Sequence, residues 1–348
     1  MAKEPLTFTP LGQILSTVYP DFDNWLVKDL VPLGGLTIFS GPPASFKSYV
    51  SQHLALCVAN KVPFLGEFDV PSVRKVLYFD KEGRPRYIQN RFNALGASGD
   101  PYIEMNQDDD FYLDNDEDVD RLLAKLRESD YITTGLIVFD SLIRFHHKDE
   151  NAAVQMAQVF RNAKRIANLG PAVVILQHSR KEFAGMAPSV NSMRGSGEIL
   201  AAADAQFSLS QDRKQGVISF VNYKMREAAE LDPFAVKVVR KNDDPKGVPV
   251  DFQHSGAYDK DKPKLEEMKD TLIDLFKERD DEFSREDIYT ALGEDYSKAL
   301  ANKGAEALVD EGYFSRRVGK GNKRLYSRIK QEGEAADISV DKLVESTL

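Results

Sequence analysis

Four short runs, Leu36 to Phe39, Val76 to Phe79, Leu136 to Phe139 and Ala172 to Leu176, are apolar without the alternation of a half-exposed strand. Strands buried on both faces read this way, so the runs predict the centre of a parallel sheet. Helical stretches are predicted between and after them, over 47–60, 84–95, 116–128 and 151–168, and strands alternating with helices imply an α/β fold. Ala205 to Ser210 and Val217 to Val221, separated by Asp212 to Gly216, predict a hairpin. Phe234 to Val239 predicts one more edge strand.

Residues 1–30 contain proline and end in Asn24-Trp25-Leu26-Val27, a lead-in expected to pack on a first domain over 31–240. Periodicity is lost over 241–263, which collects Pro, Gly, Asp and Lys and predicts a linker. Beyond it, Leu265, Met268, Leu272 and Phe276 share one helical face, and Ser284 with Asp287 makes a capping-box start for a second helix. A third helix is expected from about Ser297 to Glu311, followed by two short strands around Gly319-Lys320-Gly321-Asn322. Three helices and a β-hairpin over 264–330 predict a small α+β domain of the winged-helix type, and the acidic residues 331–348 a flexible tail.

A length of 348 residues suits two domains. With 42% apolar and 29% charged residues the composition is that of a globular protein. The single cysteine, Cys57, excludes an intrachain disulfide, a thiolate zinc cage and a two-cysteine redox motif, as in a reducing cytoplasm. The opening MAKEPLTFTP has no charged region leading into an apolar stretch, and no run of about eighteen apolar residues occurs, so neither export nor membrane spanning is expected. A net charge of -9 argues against a nucleic-acid partner when taken as a bulk property. It does not describe the hairpin: Arg316, Arg317, Lys320, Lys323, Arg324, Arg328 and Lys330 fall within 312–330, which holds no acid. With charge screened over about 8 Å, that local patch can attract phosphate despite remote acids. The acidic stretch 106–120 reads as a solvated loop entering a helix.

The candidate chemistry begins at Gly41-Pro42-Pro43-Ala44-Ser45-Phe46-Lys47-Ser48, which follows a buried strand and opens a helix. In that context successive backbone N–H groups and the helix N-terminus surround phosphates, Lys47 neutralises the outer phosphates and Ser48 offers a hydroxyl to Mg2+. Tyr49 completes the candidate nucleotide-binding set. Phe46 stands where glycine is usual, which works only if the backbone there needs no glycine-only conformation. Asp140 ends the strand Leu136 to Phe139, where a carboxylate faces the ligand crevice and can orient Mg2+. Glu82, just past Val76 to Phe79, is the candidate base or water-positioning group, with Asp80 as its rival.

These segments resemble a known family. Trp25-Leu26-Val27 through Gly34-Gly35-Leu36, the phosphate loop, Tyr78-Phe79-Asp80-Lys81-Glu82-Gly83, Val138-Phe139-Asp140-Ser141-Leu142, Gln177-His178-Ser179-Arg180-Lys181 and Arg194-Gly195-Ser196-Gly197 occur in the order seen in RecA-fold ATPases of the plasmid RepA replicative-helicase type. The resemblance covers about residues 20–240. It implies a RecA-like P-loop NTPase core with a mostly parallel sheet, ATP and Mg2+ as cofactors, and Glu82 as the catalytic carboxylate. It further implies γ-phosphate sensing by Gln177 and His178, with Gln177 a departure from the more usual histidine. Lys224-Met225-Arg226 matches a pair that completes the neighbouring subunit's site in a ring of identical chains.

By the same analogy Arg144 and Lys148, and Arg180, Lys181 and Arg194, lie on two loops that face DNA. The winged-helix candidates are Lys298, Lys303, Arg316, Arg317, Lys320, Lys323 and Arg324. The expected function is an ATP-driven motor on single-stranded or forked DNA, a RepA-like replicative helicase of a phage or mobile element acting in the host cytoplasm with other replication proteins. A recombination or repair ATPase without processive unwinding, and an ATP-gated DNA-binding regulator, are the alternatives.

Overall fold

In the computed structural model, residues 8–16, 24–99, 102–107, 110–148, 153–179, 201–226, 228–244, 247–260, 262–277, 279, 281–293 and 296–329 are described. The chain forms two compact units that divide between Tyr258 and Asp259.

The first unit is built on a nine-stranded, mostly parallel sheet. Its strands are β3 (Leu36–Gly41), β4 (Lys75–Asp80), β5 (Ile103–Asn106), β6 (Thr134–Asp140), β7 (Ala172–His178), β8 (Ala205–Asp212), β9 (Val217–Met225), β10 (Phe234–Arg240) and β11 (Pro249–Ala257). Their order across the sheet is β11-β10-β9-β8-β3-β7-β6-β4-β5. From β8 to β5 every neighbouring pair is parallel, whereas β8, β9, β10 and β11 pair antiparallel. The four apolar runs are the central strands β3, β4, β6 and β7, with both faces covered. This is the RecA-like α/β core expected from the sequence.

Helix α2 (Lys47–Asn60) lies in one apolar layer, with Val50, Leu54 and Val58 against Phe39, Tyr78 and Val138. The short strands β1 (Trp25–Val27) and β2 (Val31–Pro32) add Leu26, Val27, Leu30 and Val31 to that layer. A second layer contains α4 (Asp116–Leu126) and α5 (Ala153–Ala167), whose Leu122, Leu123, Val159 and Ile166 meet Ile38, Ile137 and Ile175. Helix α3 (Pro85–Ala94) follows β4, with proline in its first turn. The helix α1 (Leu11–Ser16) precedes the core. Because β3, β4, β6 and β7 run the same way, their carboxyl ends bring Gly41, Asp80, Asp140 and His178 to one rim.

The expected linker needs correcting. Residues 249–257 are the ninth strand, paired along β10 from Phe234↔Ala257 to Arg240↔Pro249, with Phe252 fully buried. An edge strand needs only one apolar face and tolerates the proline at its start, so its composition resembled a linker. β5, at the other edge, was also not expected. No helix among the described residues is long and apolar enough to cross a membrane.

The second unit contains α6 (Lys262–Phe276), β12 (Phe283–Ser284), α7 (Arg285–Leu292), α8 (Lys298–Asp310), β13 (Phe314–Val318) and β14 (Arg324–Arg328). Met268, Leu272 and Phe276 of α6 meet Ile288, Leu308 and Tyr326 in a separate core. Ser284 and Asp287 form the expected capping box at α7. The three strands pair antiparallel in the order β12-β14-β13.

If β11 is structural, Phe252→Ala should destabilise the first unit by about 3 kcal/mol, the usual cost of deleting a buried ring. Denaturant unfolding checks this, and a change within about 0.5 kcal/mol would argue against it.

Candidate nucleotide-binding and hydrolytic site

β3 delivers Gly41 into a space that admits no side chain. A Cβ there would lie 2.1 Å from the Leu209 carbonyl oxygen of β8 and 2.7 Å from Ser45 Oγ. The loop then runs through Pro42, Pro43, Ala44, Ser45 and Phe46 into α2. Ala44 and Phe46 both occupy the left-handed region, Phe46 with φ 67° and ψ 12° at the helix N-cap. That region costs an L-residue roughly 1–2 kcal/mol and is not reserved for glycine, so phenylalanine is tolerated. Its ring is also held: it meets Phe252 edge-on at 6.3 Å and Tyr49 at 6.2 Å, with the Arg240 guanidinium 5.6 Å from its centroid. Aromatic pairs of this kind contribute about 0.5–1.5 kcal/mol each, which offsets the backbone cost. Tyr49 in turn carries Arg91 over its face at 4.8 Å.

The Lys47 ammonium is buried and donates to the Gly41 and Pro42 carbonyls at 2.9 Å each and to Ser45 Oγ at 3.3 Å. Burial lowers its pKa to about 8, against the raising effects of nearby Asp140 and Glu82. The three side chains therefore share one electrostatic neighbourhood.

Asp140 ends β6 at 3% exposure. The Tyr78 hydroxyl donates to its Oδ2 at 3.1 Å, Ser48 is hydrogen-bonded to the same carboxyl group, and the Ser51 and Tyr78 hydroxyls lie 2.7 Å apart. Burial, then the neighbouring Asp80, raises Asp140 to about 6, with Ser48 and Tyr78 opposing. A hydroxyl and a carboxylate oxygen in contact are hard donors that fit Mg2+. Among the described residues no group of three or more His, Cys, Asp or Glu could hold a metal. Such a pair suits an ion that keeps waters and is otherwise held by phosphate oxygens.

Glu82 sits on the turn after β4. Ser141 Oγ donates to its Oε1 at 2.5 Å, His178 Nε2 stands 3.7 Å from the same atom and Arg144 Nε 3.9 Å. His178 foremost, with Ser141 and Arg144, holds the carboxyl down at about 2 although burial acts the other way. Glu82 is thus an anion at neutral pH. Asp80 plays a different part: its Oδ1 accepts from the Glu82 and Gly83 backbone amides. Gln177 and His178 pair in register with Ser40 and Gly41, so the end of β7 runs beside the base of the phosphate loop.

Lys224 and Arg226 are not brought to this rim. Arg226 Nη1 donates to Asp204 Oδ1 at 3.1 Å and Nη2 to the Ala201 carbonyl at 2.9 Å, while Lys224 Nζ donates to the same carbonyl at 3.3 Å. Asp204 also accepts from the Leu36 amide, which places the pair at the amino end of β3, opposite the phosphate loop.

The expected DNA contacts also need qualifying. Arg144 faces Glu82, and Lys148 lies 4.0 Å from Asp114. Arg180, Lys181 and Arg194 lie outside the described residues. In the second unit Arg316 and Arg324 both pair with Glu306, Arg317 with Glu282, and Lys303 with Asp259 at 2.6 Å. Lys298 lies over the Tyr289 ring. Lys323 is exposed, and Lys320 opens the short 3-10 turn between β13 and β14. A charge count therefore overstated the free basic surface, because the partners sit elsewhere in the fold. Sequence reasoning also missed Ser141 and the role of Arg144 at Glu82. The only signal for Ser141 was its adjacency to Asp140.

The family model of the AAA domain matches residues 4–184. The chain belongs to the AAA domain family. It is a P-loop ATPase, and the matched range runs from the lead-in through the phosphate loop and Asp140 to beyond His178, the last residue of β7. Among solved structures, this AAA protein is similar to one described as an ATPase domain, at 12% identity and a TM-score of 0.45 over 59% of this chain and 81% of that one. It is also similar to a DnaB-like replicative helicase, described with its interactions with primase, at 13% identity and a TM-score of 0.47 over 63% of this chain and 57% of that one.

Two outcomes are expected. Gly41→Ala should weaken nucleotide binding by at least about tenfold, or about 1.4 kcal/mol, in calorimetric titration, since the opposing atom is a backbone carbonyl. Asp140→Asn should stabilise the nucleotide-free protein. The raised folded-state pKa makes ionised Asp140 a cost that is absent below about pH 4, grows as pH rises and is complete above about pH 6. The gain should be on the order of 2–3 kcal/mol at pH 8 and vanish below pH 4, as read from denaturation at a series of pH values.

Proposed function

We propose that this protein hydrolyses ATP to ADP and phosphate and couples that reaction to single-stranded or forked DNA, as a RepA-like replicative helicase of a phage or mobile element. The observation that carries the hydrolytic reading is the convergence of Lys47, Asp140 and Glu82 at the carboxyl rim of β3, β4 and β6. In it, loop amides from Ala44 to Ser48 and the start of α2 seat the phosphates, and Lys47 exchanges the Gly41 and Pro42 carbonyls for phosphate oxygens. Glu82, already ionised, orients the attacking water and accepts its proton. Gln177 and His178 sense the γ-phosphate. Bound Mg2+, held by Ser48 and Asp140, would offset phosphate charge.

The position of Lys224 and Arg226 supports assembly. At the far end of β3 they cannot serve their own phosphate loop, whereas in a ring of identical subunits they can approach the next one. A guanidinium brought in this way offsets transition-state charge and makes turnover depend on assembly.

We further propose that the second unit is a winged helix and that Arg144, Lys148, Arg180, Lys181 and Arg194 track the DNA backbone, in a protein acting in the cytoplasm with other replication proteins. The pairing of Arg316, Arg317 and Arg324 with Glu306 and Glu282 favours a second reading for that unit alone, as a module that docks protein.

The test is ATP turnover with and without single-stranded DNA, together with displacement of a labelled strand. Lys47→Ala should abolish hydrolysis. Glu82→Gln should bind nucleotide normally and turn over about 100-fold more slowly, within the usual contribution of a general base. Wild-type turnover in Lys47→Ala would overturn the assignment, and turnover indifferent to DNA would remove its DNA part.

A further inference from the structure

Asp80 ends β4 at 1% exposure, opposite Asp140 in register, and takes no part in the chemistry assigned above. Its Oδ1 accepts two successive amides, from Glu82 at 3.0 Å and Gly83 at 2.6 Å, so the turn 80–83 is wound around one carboxylate oxygen. The winding is tight. A Cβ at Gly83 would stand 2.7 Å from Asp80 Oδ2 and 2.8 Å from Ile88 Cγ1.

Other contacts pin the same turn, but not through the backbone of residue 82. The Lys81 amide donates to the Asp140 carbonyl at 3.3 Å, and Lys81 Nζ donates to the Phe111 carbonyl at 2.8 Å and lies 4.0 Å over the Tyr112 ring. Gln107 Nε2 donates to the Gly83 carbonyl at 3.0 Å. Among the described hydrogen bonds, only Asp80 holds the amide of Glu82. The direction of that peptide sets where the Glu82 carboxylate lies, 2.5 Å from Ser141 and 3.7 Å from His178.

We infer that Asp80 is a positioning residue for hydrolysis, holding Glu82 in register with the ends of β6 and β7 through two backbone hydrogen bonds; the inference rests on Glu82 being the catalytic carboxylate. Acceptor geometry is what the turn requires, and an asparagine oxygen supplies it. Misplacing a reacting group by about 1 Å can cost about a hundredfold in rate.

Steady-state ATP turnover of the full chain tests this. Asp80→Ala should lower kcat by about ten- to a hundredfold and leave KM within about threefold, since Gly41, Lys47 and Ser48 are untouched. Asp80→Asn should restore kcat to within about threefold of wild type. In the Glu82→Gln background Asp80→Ala should slow turnover no further, because a residue acting through Glu82 has nothing left to position. Should Asp80→Ala not fold, as judged by thermal unfolding, Gly83→Ala wedges the same turn and should show the same fall in kcat at unchanged KM.

Wild-type kcat in the folded alanine variant, or equal damage in Asp80→Asn and Asp80→Ala, overturns the inference. So does a full additional loss in the double variant. Those results leave the role of Glu82 standing. Wild-type turnover in Glu82→Gln instead removes that role, and the positioning inference with it.

Discussion

The phosphate loop is organised around one difficult requirement, the burial of the Lys47 ammonium. A cation taken out of water needs oxygens to replace its hydration, and the Gly41 and Pro42 carbonyls and Ser45 supply them. To do so the chain must leave β3 in contact with the Leu209 carbonyl of β8, where only glycine fits. The parallel pairing of β8 with β3 and the antiparallel return through β9, β10 and β11 follow on that side of the sheet. Phe252 at the last of these strands then meets Phe46, so the far edge of the sheet and the loop support each other.

On the other side of β3 the constraint is an excess of acid. Asp80 and Asp140 end adjacent strands, and Glu82 lies on the turn after β4, its carboxylate beside Ser141 and His178. Their environments set them apart: burial drives Asp140 up to about 6, while His178, Ser141 and Arg144 hold Glu82 near 2. Two carboxyl groups of one site thus carry different protonation tendencies, Glu82 ionised at neutral pH and Asp140 closer to its protonated form.

Much of this was readable from the sequence, for a physical reason. Strands covered on both faces must be apolar throughout, so β3, β4, β6 and β7 declared themselves, and a loop that wraps phosphate must follow such a strand. Edge strands carry no such obligation. β11 begins with proline, contains Asp251 and Gly256 and buries chiefly Phe252, a pattern that local propensity assigns to a linker and only pairing along β10 identifies as a strand. Long-range side-chain meetings were invisible for a related reason. Ser141 and Glu82 are 59 residues apart, and nothing in their spacing announces a 2.5 Å contact. The hairpin arginines were counted correctly as charges, but their partners Glu282 and Glu306 lie on segments read separately.

That pairing bears on how the second unit would respond to ionic strength. Arg285, Arg316 and Arg324 converge on Glu306, which also accepts from the Tyr326 hydroxyl, and Arg317 is matched to Glu282. A polyanion meeting this surface would have to displace carboxylates already in place before gaining the guanidinium groups. The exchange would release fewer condensed counterions than a count of arginines implies. Binding through this face would therefore weaken with added salt more gently than its basic sequence suggests, and added salt would loosen the internal pairs as well.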